Sequence, residues 1–218
     1  MASISELLKK LHSAPTKEYD KVLGEIVNQI LGEEFRPTLE KENFGSIVEL
    51  MLVIPEDRFE EFVNKYKDVL ENKFREAGAI ELGRLYEGLT KPKRKIISIN
   101  FRPVITKRFS TFGLEDIVKM LYNVIPATRE TVLNQYKETM MRPDFSKTIL
   151  ETPLDILGEF LSLAPESIRA SLIKRHSKTF LSDEFVEKIK KADPEERAKV
   201  LRWLPMEMAK EIMSKISS

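Results

Sequence analysis

Pro126, Pro143, Pro153, Pro165, Pro194 and Pro205 cut the C-terminal part of the chain into pieces of about ten to thirty residues. Each stands where a helix could begin, because proline's fixed φ suits the first helical turn and its missing N–H has no intrahelical partner there anyway. Beyond Gly113 no segment carries a convincing strand pattern. Residues 126–218 are therefore expected to form short helices in a bundle or a curved helical array.

The front of the chain reads differently. Ser3 and Glu6 have capping-box spacing ahead of Leu7, Leu8 and Leu11, and a second apolar stripe from Val22 to Leu31 runs up to Gly32, placed to stop it. Residues 1–32 thus predict a helical hairpin. From residue 46 the period changes. Ser46 to Ile54 is a nearly continuous apolar run ended by Pro55, the pattern of a buried strand, and 55–77 returns to helical spacing with Gly78 as its stop. Ile80, Leu82, Arg84 and Tyr86 alternate with their neighbours, and Lys95 to Ile105 shows a second alternation through Ile97, Ile99 and Phe101, with a turn at Gly88–Pro92 between them. A helix from Leu114 to about Val124 completes a βαββα unit over 33–125. The expected fold class is α+β: a helical hairpin, a small sheet unit resembling a split βαβ arrangement without its final strand, and an all-helical C-terminal domain.

Three C-terminal segments, beginning at Pro165, Pro194 and Pro205, share an early acid, a mid-turn alanine and an aliphatic residue at the seventh position after proline. Early acids complement the helix dipole, so ordinary helix-starting chemistry accounts for the likeness. In texture, Asp193 to Ile216 is similar to the helical repeats of flagellar switch proteins and of the cytoplasmic domains of magnesium transporters. The likeness includes no diagnostic motif and carries no function with it.

The chain has no cysteine, which excludes disulfides, thiolate metal sites and a cysteine nucleophile together. With only His12 and His176, a histidine-rich metal site is not expected, and no phosphate-binding loop, dinucleotide fingerprint, nucleophile elbow or zinc-protease motif is present. No cofactor or metal is expected, and catalysis is disfavoured. The N-terminus lacks a basic start and apolar run, and no stretch approaches a membrane span, so a cytoplasmic protein is expected. One third of the residues are charged and glutamine occurs only at Gln29 and Gln135, a bias that points to a thermophilic, archaeal source.

Two constellations suggest binding. Gly88 to Leu114 contains no acid but holds Lys91, Lys93, Arg94, Lys95, Arg102, Lys107 and Arg108, interleaved with Phe101, Phe109 and Phe112, in a chain whose net charge is only +1. As a basic hairpin and strand, this segment would neutralise phosphates of RNA or of a ribonucleoprotein surface while a phenylalanine stacked on an unpaired base. The alternative is a protein–protein adaptor or a self-associating scaffold, that is, a homo-oligomer, in which Trp203, Met206 and Met213 of the C-terminal helices form an adaptable contact surface.

Overall fold

In the computed structural model, which describes residues 2–217, every regular element is a helix. The expected α+β class and its βαββα unit over 33–125 are therefore overturned: among the described residues there is no strand. The chain divides into two compact units, Met1–Arg108 and Phe109–Ser218.

The first unit contains α1 (Ile4–His12), α2 (Tyr19–Ile30), a 3-10 turn at Glu33–Phe35, α3 (Arg36–Lys41), α4 (Phe44–Val53), α5 (Glu56–Lys65), α6 (Lys67–Glu76), α7 (Ala79–Gly88) and α8 (Lys91–Phe109), the last reaching the division. The second contains α9 (Leu114–Tyr122), α10 (Pro126–Met140), α11 (Phe145–Glu151), α12 (Leu154–Leu163), α13 (Glu166–Arg175), α14 (Ser177–Phe180), α15 (Asp183–Lys191), α16 (Pro194–Leu201) and α17 (Met206–Ser217).

Each predicted strand became a helix for an identifiable reason. Asn43 accepts a hydrogen bond from the Ser46 amide at 2.9 Å and so starts α4, whose run from Ile47 to Met51 packs against α1, α6 and α7. A helix enclosed by others is apolar nearly all round, and periodicity cannot tell it from a buried strand. In α7 the buried positions are Ala79, Leu82, Gly83, Leu85 and Tyr86, a helical set that coincides with part of the alternation. Gly78 ends nothing by a left-handed turn; it is the N-cap of α7, its amide donating to Glu81 at 2.7 Å. In α8 the buried stripe is Ile97, Phe101, Ile105 and Phe109, four residues apart each time, while Ile99 is 70% exposed. A strand would have placed Ile97, Ile99 and Phe101 on one face. Pro103 lies within α8 on its exposed side. There the carbonyl four residues earlier, which loses its helical donor, can turn to water.

The two units are versions of one plan. An offset of 110 positions takes α1 onto α9, Ile30 to Met140, Phe35 to Phe145, α4 onto α12, Pro55 to Pro165 and Tyr66 to His176. Within α6 the offset becomes 115, taking Lys73 to Lys188, the start of α7 to that of α16 and the start of α8 to that of α17. Five additional residues around Leu181–Ser182 account for the change: where α6 is one helix, the second unit has α14 and α15, with Ser182 capping the new start through the Phe185 amide. The packing follows the same correspondence. Just as α4 packs on α1 and α7, α12 packs on α9 and α16. The last pair is closer, because a Cβ at Gly158 would meet the Lys199 backbone at 3.0 Å.

Candidate binding surfaces

No residue with positive φ, glycine or otherwise, occurs among the described residues. The helices therefore end without left-handed glycine caps, and their last carbonyls need other donors. Cationic side chains from elsewhere in the fold supply them. Lys73 Nζ donates to the carbonyls of Glu40 and Glu42 at the end of α3, and Lys188 Nζ donates to those of Leu150 and Thr152 at the end of α11, the equivalent atoms. Burial pushes the Lys188 ammonium below its ordinary value, against the opposing field of Glu184.

This device absorbs part of the predicted basic ribbon, which is helical rather than a hairpin and strand. Lys93, only 4% exposed, donates to the carbonyls of Met51 and Leu52 at 3.0 Å each, and its ammonium lies 5.2 Å from the Phe59 ring centre. Burial lowers its pKa, with Glu56 opposing. Arg94 donates to the Tyr86 carbonyl at 3.2 Å and Arg108 to the Ala77 carbonyl at 2.7 Å. Lys91, Lys95, Arg102 and Lys107 remain exposed. The three phenylalanines proposed as stacking platforms, Phe101, Phe109 and Phe112, are all buried, with Phe101 against Phe74 and Phe109 against Phe112.

His176 is buried and locked. Its Nε2 lies 2.7 Å from the Met140 carbonyl, which can only accept, so Nε2 donates there, and Nδ1 faces the Ser146 hydroxyl at 3.2 Å. Ser146 accepts in turn from Thr179 at 3.0 Å. A serine beside a histidine invites a catalytic interpretation, but the first unit argues against it. Tyr66, the equivalent residue, donates to the Ile30 carbonyl at 2.7 Å, the counterpart of Met140. Both side chains tie the end of the second helix of their unit to the fold. His12 is exposed, and no group of acids and histidines suited to a metal occurs among the described residues.

The second surface lies where the helix-end capping differs between the units. The Leu161 carbonyl, equivalent to that of Met51, is capped by Arg169 of α13 at 2.9 Å instead of by a lysine of the last helix. The Arg169 guanidinium stacks 4.5 Å from the ring centre of Trp203, with Arg202 at 5.3 Å. Trp203 stands where the first unit has Gly88, and Met208 where it has Lys93. The side chains here border a groove of about 350 Å³ with Ile173 and Leu204 in its floor. The Trp203 Nε1–H is buried without an acceptor among the described residues. An unmet buried donor costs about 1–3 kcal/mol. Met206 and Met213 lie on α17, 66% and 43% exposed. The spacing of seven places both on one face.

The missed signal was the repeat itself. Pro55 with Pro165, Phe35 with Phe145 and Ser3 with Gly113 stand at one constant offset, but each pair is chemically ordinary and the later change of register blurs the rest. No protein-family model, curated protein or solved structure matches this chain.

Proposed function

We propose that this is a non-catalytic cytoplasmic protein that holds a protein partner on its second helical unit, across Trp203, Met206 and Met213. The observation that carries the proposal is the exposure of Met206 and Met213 on one face of α17, the helix that follows the half-buried Trp203 in the chain. Unbranched, polarisable methionines next to an aromatic adapt to a partner's shape. The equivalent positions of α8 hold Lys91 and Ser98, so the apolar face is peculiar to the second unit. No helix among the described residues is long and apolar enough to cross a membrane.

A photo-reactive amino acid at position 206 tests the proposal in cells. A discrete adduct that disappears in Met213→Glu is expected, and an adduct of twice the chain's mass would identify a second copy as the partner. No discrete adduct, or one indifferent to Met213→Glu, would overturn it.

A second reading, contact with RNA through α8, is supported by Lys91, Lys95 and Arg102. All three are exposed and none has a carboxylate within ion-pair distance among the described residues. Three phosphate contacts to a single strand predict a log–log salt slope of about −2 in fluorescence anisotropy. No binding at low salt would remove this reading.

A further inference from the structure

The groove beside Trp203 sits on a helix whose charge has reversed relative to its counterpart. Over Glu56–Lys65 the net charge is −2, and over Glu166–Arg175 it is +2. At the positions that matter, Phe59 gives way to Arg169, Glu60 to Ala170 and Asn64 to Lys174. In the first unit a cation from the same chain, Lys93, already occupies the space over Phe59. In the second, Met208 replaces that lysine and leaves an apolar floor beside Arg169, Lys174 and a single acid, Glu166.

We propose that this groove receives a peptide segment of the partner in which an apolar side chain lies next to a carboxylate. The inference rests on the protein-binding reading above and adds the chemistry of what is bound. The apolar side chain covers Ile173, Leu204 and Met208. The carboxylate meets Lys174 and Arg169, whose guanidinium retains the Nε and Nη2 donors beyond the Nη1 directed at the Leu161 and Ala164 carbonyls. A cationic guest is disfavoured by Arg169, Lys174 and Arg202, and a wholly apolar one would leave Glu166 as the one counter-charge to this rim. The groove's 350 Å³ lies at the lower end of the range of small-molecule sites, which suits a contact of one or two residues within a larger interface.

Trp203 is the only tryptophan, so its emission reports this groove without a label. The probe is a short acetylated, amidated peptide containing adjacent leucine and glutamate, compared with versions carrying glutamine for glutamate or serine for leucine. The glutamate–leucine peptide is expected to give a saturable change in Trp203 emission. The glutamine version should bind about tenfold more weakly, the difference between a charged and a neutral hydrogen-bonding partner. Lys174 is exposed, so Lys174→Glu should abolish the response while leaving the thermal midpoint near that of the parent.

No saturable change at millimolar peptide, or equal binding of the glutamate and glutamine versions, would overturn the inference. So would a response to a uridine oligonucleotide with none to the peptides. A partner adduct from position 206 together with a groove inert to peptide would overturn this inference alone and leave the protein-binding reading standing.

Discussion

The two units solve one problem with different side chains. Both must satisfy the carbonyls at the end of a central helix, α4 or α12. The first unit uses Lys93, a cation from its last helix lying over Phe59; the second uses Arg169, a cation from the middle of its unit lying against Trp203. The cation has moved from the last helix to the middle one, and the ring from the middle helix to the turn that precedes the last. The exchange teaches that in a fold without left-handed caps the obligatory element is a donor at the helix end, whereas the helix that supplies it is free to vary. It also frees position 208 of the second unit's last helix from that duty, although Lys215 of the same helix still donates to the Leu181 carbonyl at 2.9 Å.

The largest expected effect is an asymmetry. Lys93→Met places in the first unit the residue found in the second, leaves two carbonyls without their charged donor and should cost about 2–3 kcal/mol in urea denaturation. Met208→Lys, the reverse exchange, should change stability by less than about 1 kcal/mol, because Arg169 already caps Leu161. Equal losses would break the comparison.

Next in size is the residue that ties down the second helix of each unit. Tyr66→Phe should cost about 1 kcal/mol, and His176→Phe about 1–2 kcal/mol because Ser146 also loses its partner. A gain of stability in His176→Phe would mean that the histidine is retained for something other than structure.

Alkaline pH offers a smaller contrast. Burial raises the hydroxyl pKa values of Tyr66 and Tyr86 in the first unit and of Tyr136 in the second above their ordinary value of 10.0. Above that value the unfolded chain loses these protons while the folded one keeps them, so this contribution to stability is complete below pH 10 and falls as pH rises through the folded values. Lys93 and Lys188, whose pKa values burial lowers, act in the opposite sense, one in each unit. The urea midpoint should therefore decline above pH 10, and removing Tyr66 and Tyr86 together should flatten the decline more than Tyr136→Phe does.

The smallest effect belongs to α8. Lys91 stands at the positive end of the helix dipole with no acid in the first turn. Lys91→Glu should leave stability unchanged or raise it by a few tenths of a kcal/mol. A clear loss would show that Lys91 has a structural duty like that of Lys93.

How much was legible varied by residue. The Ser3–Glu6 capping box is visible in the sequence and present in the structure, because both of its partners lie within one turn. The apolar run from Ile47 to Ile54 was visible as buried, but its conformation was not, since a helix surrounded by helices loses the polar face that would reveal its period. Lys93 and Lys95 look alike in the sequence. One is buried against Phe59 and two carbonyls, and the other is exposed. Trp203, Met206 and Met213 were recognisable as candidates for contact, whereas the groove beside Trp203 depends on Arg169 and Ile173, some thirty positions earlier.

By itself the sequence determined the Ser3–Glu6 capping box, the proline-led helices of the C-terminal part and the lack of cysteine, all matters of local propensity and side-chain inventory. Tertiary structure alone decided that the front half is helical and that several of the chain's cations serve as helix caps. Those outcomes depend on which backbone carbonyls come within reach of which side chains, a relation between residues distant along the chain that no local pattern encodes.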